Sequence, residues 1–148
     1  MAEFPEYRKI LLATDGSEQA GLAARHAVAL ARQAGATITA LYVVDAHLAF
    51  GLGIHRDDAL RELREDGERA LAAVVELARG AGLDAEPELC EGRPGEEIVR
   101  VSERGGADLI VLGSDGQGAM EDILLGSVSQ YVVHHAHVPV CVVRPPNR

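Results

Sequence analysis

The sequence KILLATDGSEQAGLAARHAVALARQAGATITALYVV, residues 9–44, decides the fold. Its two ends, Lys9 to Thr14 and Thr37 to Val44, are short apolar runs of the kind found in strands that are covered on both faces. Between them, apolar residues recur at helical spacing from Ser17 to Ala34, with Ser17 in the position of an N-cap and Gly35 as a stop signal. A strand, a helix and a second strand of these lengths predict a right-handed crossover between parallel strands.

The same alternation continues to the end of the chain. Further strands are predicted at Leu83 to Cys90, Asp108 to Leu112 and Pro139 to Val143, and further helices at Asp57 to Gly80, Gly95 to Arg104 and Ser127 to Ala136. The third strand carries Glu86, Pro87 and Glu88, so we place it at an edge of the sheet. The pattern predicts an α/β fold, a three-layer, doubly wound parallel sheet of five strands with about four helices.

Composition limits the class of protein. The 148 residues, 47% hydrophobic and 25% charged, are typical of one domain, which we assign to residues 1–148. Only 3% of the residues are aromatic and there is no Trp, so we expect a core of Val, Leu, Ile and Ala, without stacking platforms for single-stranded nucleic acid. The formal net charge of −9 argues against binding to a nucleic acid polymer or an anionic membrane. Any phosphate must therefore be met by backbone dipoles.

The remaining general features predict a cytoplasmic protein. The N-terminus, MAEFPEYRK, lacks a basic region followed by an apolar run, and no apolar stretch is long enough to span a membrane. Cys90 and Cys141 have no CxxC spacing, so we interpret them as reduced, buried thiols. Residues 45–56, DAHLAFGLGIHR, show no clear period and are interpreted as a flexible flap that covers a ligand.

One segment has the composition of an anion-binding site. It is GSDGQGAMEDILLGSVS, residues 113–129, which begins directly after an apolar strand and ends at the start of a helix. Gly113, Gly116 and Gly118 permit positive φ and a close approach of backbone N–H groups to an anion. The Gly126 to Ser129 segment then presents a helix N-terminus with two hydroxyl groups, which suits phosphate oxygens. The alternative is that these glycines only form a turn and that the serines only cap a helix.

The segment is neither a P-loop nor a dinucleotide fingerprint. It lacks Gly-Lys-Ser/Thr, and no GxGxxG follows the first strand. Its spacing, Gly113-x2-Gly116-x9-Gly126-Ser127, resembles the signature of the ATP-binding branch of the universal stress protein family. The resemblance extends to Asp15-Gly16-Ser17, to the strand end at Tyr42 to Asp45, to Gly92-x-Pro94 and to the closing Val138-Pro139-Val140. It therefore spans nearly the whole chain.

The resemblance implies an adenine-nucleotide alpha hydrolase-like sheet with strand order 3-2-1-4-5, and a cleft for ATP, ADP or AMP. It implies that Asp15 lies beside the ribose or a phosphate-bound Mg²⁺, and that Val43 contacts adenine through its backbone. Leu112 would flank the base or the sugar. The full set of implied nucleotide-binding residues is Ala13, Thr14, Asp15, Val43, Leu112, Gly113, Gly116, Gln117, Gly118, Gly126, Ser127, Val128 and Ser129.

The chain also departs from the family's pattern. Relatives commonly carry His or Arg where this chain has Asp115 and Gln117, so a basic partner for the phosphates is missing there. The resemblance further implies a homodimer formed through the C-terminal strand, residues 139–144; the alternative is an edge capped by the chain's own tail.

Three functions stay open from the sequence. The first is a stress-response binding protein whose nucleotide orders residues 113–129 and changes a surface that faces a protein partner. The second is slow Mg-dependent ATP hydrolysis, in which the Ser127 and Ser129 hydroxyls orient phosphates; no acid/base pair or nucleophile arrangement is visible to make it fast. The third is a nucleotide-free dimeric scaffold.

Overall fold

The chain forms a five-stranded parallel sheet whose strands alternate with helices. The computed structural model describes residues 3–51, 53–114 and 125–146. The strands are β1 (Lys9–Ala13), β2 (Thr37–Asp45), β3 (Ala85–Gly92), β4 (Leu109–Gly113) and β5 (Val140–Val143). The helices are α1 (Glu18–Ala34), α2 (Ala46–Phe50), α3 (Arg56–Gly80), α4 (Pro94–Gly105) and α5 (Ser127–His135), with a 3-10 helix at Gly53–His55. The sheet order is β3-β2-β1-β4-β5, so the predicted fold class and strand order are confirmed.

Helices cover both faces of the sheet and produce two apolar cores. Along β1, Ile10 and Leu12 pack under α1 and α3, whereas Leu11 and Ala13 pack under α4 and α5. Successive side chains of a strand point to opposite faces, so the continuous apolar run of β1 contributes to both cores. The buried residues are mostly Val, Leu, Ile and Ala, as predicted, with Tyr42 as an aromatic addition.

Both predicted edge strands lie at the edges. β3, with Glu86, Pro87 and Glu88, pairs only with β2 on one side, and β5 occupies the opposite edge. The prediction that the two cysteines are buried is wrong: Cys90 on β3 and Cys141 on β5 are both half-buried, because an edge strand is packed on one side only. Burial, with a contribution from the nearby Glu97 carboxylate, raises the pKa of the Cys90 thiol to about 11.

Local hydrogen bonds explain where the elements begin and end. The Ser17 hydroxyl accepts a bond from the Ala20 N–H at 3.1 Å and caps α1, and Gly35 ends that helix with a φ of 69°. The third strand begins at Ala85 rather than at the predicted Leu83. The reason is that the Leu83 N–H bonds to the Ala78 carbonyl at 2.9 Å, so Leu83 still belongs to the turn that ends α3.

The 45–56 segment contains more regular structure than its sequence suggests. Asp45 ends β2 and accepts a bond from the His47 N–H at 3.0 Å, which begins α2. The 3-10 helix at Gly53–His55 comes directly before α3. The segment interpreted as a flap therefore contains helical structure, started by a local cap; its flexibility and its covering of a ligand stay predictions. No helix in the described ranges is both long and apolar enough to cross a membrane.

Gly67 allows α3 to lie close against the sheet. A Cβ atom at this position would stand 2.6 Å from Leu89 Cδ1 and 2.6 Å from Tyr42 Cδ1. Because the Tyr42 ring is buried and only 8% exposed, it has little room to move away. The glycine is therefore required by packing, and it fixes the height of α3 above β2 and β3.

We expect Gly67→Ala to lower the free energy of unfolding by about 1–3 kcal/mol, since overpacking outweighs the gain in helix propensity. Urea denaturation followed by circular dichroism measures this change. Gly21→Ala in α1 is the matched control, since a Cβ there meets no atom within 4 Å. That control should gain about 0.5–1 kcal/mol. Equal effects at both glycines would contradict the packing argument.

Candidate functional site

A cleft of about 1010 Å³ lies at the carboxyl ends of the strands. α1, which follows β1, covers one face of the sheet, whereas α5, which follows β4, covers the other. The chain therefore leaves these two neighbouring strands in opposite directions. In doubly wound sheets this arrangement opens the crevice in which ligands bind.

The structure brings the predicted site residues together wherever it describes them. Those that line the cleft are Ala13, Thr14, Asp15, Val43, Leu112, Gly113, Gly126, Ser127, Val128 and Ser129. Gly116, Gln117 and Gly118, together with Asp115, lie outside the described residues. Their role in binding a ligand stays a prediction.

The floor of the cleft is apolar. It is formed by strand ends, with Ala13 from β1, Leu41 and Val43 from β2, and Leu112 from β4. Leu48 of α2 also lines the cleft and is 68% exposed, so the 45–56 segment does contribute to its wall. Such a surface can accommodate a flat apolar group, whereas the polar groups lie toward the helix ends.

The turn that follows β1 holds Asp15 in a defined position. The Gly16 N–H donates to the Thr14 hydroxyl at 3.2 Å, and the Ser17 N–H donates to Asp15 Oδ1 at 2.9 Å. Gly16 adopts a φ of 79°, which strongly favours glycine at this position of the turn. Asp15 is exposed and keeps its second carboxylate oxygen outside this turn.

The carbonyl of Ser114 joins the end of β4 to the beginning of α5. It accepts one bond from the Gly126 N–H at 2.8 Å and another from the Ser129 hydroxyl at 2.9 Å. The Ser129 hydroxyl also lies 3.0 Å from the Gly126 carbonyl, and Ser129 is only 2% exposed. Its hydroxyl proton therefore points to main-chain carbonyls, which differs from the expectation that both serine hydroxyls hold phosphate oxygens.

The N-terminus of α5 lines the cleft, and among the described residues nothing is recorded as capping it. Its N-cap is Gly126, no side chain in the described ranges caps it, and its first turn contains no acidic residue. By contrast, Ser17 caps α1 and Glu18 lies in its first turn, while Glu96 and Glu97 lie in the first turn of α4. The first N–H groups of a helix lack partners within the helix, so the amides of 127–129 have the geometry that anions favour at helix N-termini.

The two described glycines of the signature do not use positive φ. Gly126 has a φ of −63°, and Gly113 is not among the glycines in the left-handed region. The prediction of positive φ at Gly113 is therefore wrong. A Cβ there would lie 3.2 Å from the Gln19 carbonyl oxygen, so glycine at 113 allows α1 to approach β4 closely.

Sequence reasoning missed the wall that α3 contributes. Asp66 and Arg69 line the cleft beside Tyr42 and form an ion pair with each other. Burial raises the pKa of the Tyr42 hydroxyl, and the negative charges of Asp66 and Asp15 raise it further. The available signal was Gly67, because a glycine inside a helix can mark a close approach and so indicates that this part of α3 lies against the sheet.

Known proteins with similar sequences and similar folds identify the family to which this chain belongs. The model of the universal stress protein family matches residues 6–144. The chain belongs to the universal stress protein family. It is 41% identical over 144 residues to universal stress protein MJ0531 of Methanocaldococcus jannaschii, an alignment that covers 96% of this chain and 85% of that protein.

Solved structures of other universal stress proteins share the fold. The structure of MJ0577 from the same organism superimposes with a TM-score of 0.86 at 30% identity and covers 97% of this chain and 100% of that chain. A universal stress protein from Archaeoglobus fulgidus, solved in complex with dAMP, has a TM-score of 0.69 at 25% identity. That alignment covers 92% of this chain and 97% of the other.

In this universal stress protein, two serines at one helix terminus should behave differently. Ser129→Ala removes a buried donor from the Ser114 and Gly126 carbonyls, so we expect a loss of about 1–2 kcal/mol in the free energy of unfolding. Ser127→Ala, at an exposed position in the same turn, should change it by less than about 0.5 kcal/mol. Urea denaturation without nucleotide measures the free energy of unfolding of both variants. An unchanged value for Ser129→Ala would show that this hydroxyl does not stabilise the connection between β4 and α5.

Proposed function

We propose that this universal stress protein binds an adenine nucleotide in the cleft and acts as a ligand-dependent regulatory module. The observation that carries the proposal is the open N-terminus of α5, which stands beside the apolar strand ends of Val43 and Leu112. An anion site next to an apolar floor suits a ligand with a phosphate at one end and a flat base at the other. The dAMP complex of the Archaeoglobus fulgidus relative supports this ligand class.

In the proposed arrangement, the base lies on the strand ends and the phosphate lies on α5. The Val43 backbone contacts the base, Leu112 flanks it, and Asp15 accepts hydrogen bonds from the sugar hydroxyls through its remaining oxygen. The phosphate receives bonds from the amides of Ser127, Val128 and Ser129. Such bonds to a charged group are each worth about 1.5–3 kcal/mol.

We assign no resident magnesium ion to the cleft. The described residues include no group of three or more His, Cys, Asp or Glu arranged to hold a metal ion. Asp15, the predicted ligand, already accepts the Ser17 N–H through one oxygen. The described residues therefore provide no metal site of their own, and a magnesium ion held near Asp15 through a nucleotide phosphate stays a prediction.

The edge position of β5, which pairs with no strand other than β4 in the described sheet, supports the proposal of a homodimer. The Ile110 N–H bonds to the Pro139 carbonyl and the Ser114 N–H to the Val143 carbonyl, so odd-numbered residues of this strand face β4. Alternate residues of a parallel strand bond to opposite sides, so the main chain of Val140 and Val142 faces outward. An apolar edge of this kind favours pairing with a second copy.

The amide of Ser127 provides the sharpest test of the nucleotide site. Ser127 is the first residue of α5, where proline is tolerated, and Gly126 before it has an extended ψ of 165° that suits a following proline. Ser127→Pro should therefore keep α5 and remove one amide donor from the phosphate. We expect dAMP and AMP to bind at least about tenfold more weakly, measured by isothermal titration calorimetry.

Ser127→Ala is the control for that variant, since it removes the hydroxyl and keeps the amide. It should weaken binding less than Ser127→Pro does, and both variants should melt near the parent's temperature without nucleotide.

At a ligand concentration of 100 times Kd, the parent should gain about 2.7 kcal/mol of stability, visible as a higher Tm. Unchanged binding by Ser127→Pro would disprove the α5 phosphate site.

Val142→Pro tests the dimer. It removes an outward N–H from an edge strand, where proline is tolerated, so the fold should persist while the dimer dissociates. Light scattering after size exclusion measures the mass. Val143→Pro is the contrasting control. The N–H group of Val143 faces β4, so the loss of that N–H group should destabilise the sheet. A parent protein that is monomeric at high concentration would refute the proposal.

A further inference from the structure

A second surface feature lies between α1 and α3, apart from the cleft. The cleft is lined by α1 as far as Ala20 and by α3 as far as Ala73. Later residues of the same helices, from Arg25 in α1 and from Glu76 in α3, line an open groove of about 460 Å³. Because a crossover helix runs back toward the beginning of the next parallel strand, the groove lies toward the amino ends of the strands. It is therefore distinct from the proposed nucleotide site.

The groove has an apolar floor. Val28 of α1 is 6% exposed, and Leu77 and Ala81 of α3, one helical turn apart, are half-buried. Gly80 also lines the groove, and a Cβ atom there would meet no atom within 4 Å. The α3 side of the groove therefore has space for an apolar side chain of another molecule.

Two arginines of α1 flank this floor. Arg25 and Arg32 are both exposed, and both line the groove. Their separation of seven residues places them on one side of the helix to within about 20°, with their backbone positions about 10.5 Å apart along its axis. Val28 lies between them on the same side. The rim of the groove therefore presents two separated cations with an apolar residue between them.

These two arginines have no partner among the described residues. Every other arginine in the described ranges contacts a carboxylate, an aromatic ring or another group of the chain. Glu76, which also lines the groove, pairs with Arg79. The helix dipole favours a cation in the last turn of α1, which accounts for Arg32, but Arg25 lies two turns earlier, beyond the range of that effect. The described contacts therefore leave two positive charges on the groove unbalanced.

We infer that the groove between α1 and α3 docks an acidic, amphipathic helix of a partner protein. Carboxylates two turns apart on that helix meet Arg25 and Arg32, and the apolar residues between them rest on Val28 and Leu77. Such docking requires no nucleotide, so it is separate from the function proposed for the cleft.

Charge complementarity selects this occupant. A guanidinium presents paired N–H donors that match a carboxylate, so each arginine recognises one Asp or Glu side chain. The apolar floor between the arginines requires apolar groups between the two acids, which a phosphate polymer does not place there. A helix supplies both, because its residues at i, i+3, i+4 and i+7 share one face. Arginine is also enriched at protein interfaces.

Two synthetic helical peptides test the groove. One carries two glutamates seven residues apart with leucines at the two central positions between them, and the other carries glutamine in place of both glutamates. Fluorescence anisotropy of each labelled peptide with the full chain, without nucleotide and at low ionic strength, measures the dissociation constants. We expect the glutamate peptide to bind at least about fivefold more tightly than the glutamine peptide.

Matched variants locate the binding. Arg25→Gln combined with Arg32→Gln removes both cations of the rim and keeps good helix formers, so it should lose the preference for the glutamate peptide and melt near the parent's temperature. Arg100→Gln combined with Arg104→Gln is the control, because it removes two charges from α4 on the other face of the sheet. The control should keep the preference.

The contrary outcomes are specific. Failure of the glutamate peptide to bind the parent, or equal binding of the two peptides, would overturn the proposed partner. Loss of the preference in the α4 control as well would show that net charge, and not the groove, attracts the peptide. Light scattering of the chain alone should give the same mass with and without the two α1 substitutions. A lower mass for the substituted chain would mean that a second copy occupies the groove, which would also overturn the proposal.

Discussion

The carbonyl oxygen of Ser114 is the point on which the cleft depends. It lies where β4 ends, and it holds the beginning of α5 through the Gly126 amide and the Ser129 hydroxyl. The Ser114 amide bonds in turn to Val143 of β5, so the junction is tied to the sheet from both sides. Because the junction is nearly excluded from water, loss of either donor leaves a buried acceptor less satisfied. The position of α5 relative to the strand ends follows from this junction.

That junction determines which part of the 126–129 segment is available to a ligand. Ser129 turns its hydroxyl inward to the backbone, whereas Ser127 stays exposed at the first position of the helix. The same helix begins with glycine, and no acidic residue lies in its first turn, so the described residues of this turn do not offset its dipole. In the proposed function, these main-chain groups are what allows a chain with a formal net charge of −9 to bind an anion.

The glycines show how far sequence reasoning reaches. A glycine signature indicated that backbone and ligand come close together, and the described glycines do lie on the cleft. The reason given for Gly113 was wrong, because glycine is needed there to admit the Gln19 backbone of α1. Gly67 carried equally useful information, but sequence reasoning did not use it, and the cleft wall formed by Asp66 and Arg69 was missed. A glycine signals a close approach, while the partner of that approach is set by elements distant in the sequence.

By itself, the sequence determined the alternation of strands and helices, the edge position of β3, the cap at Ser17 and the region of the site, because these depend on local periodicity, capping chemistry and the apolar character of each run. The tertiary structure alone decided that α3 forms a wall of the cleft, that the Ser129 hydroxyl bonds to main-chain carbonyls, and that the cysteines are half-buried. The physical reason is that these properties arise from contacts between elements far apart in the chain. Their geometry follows from how closely helices pack on the sheet.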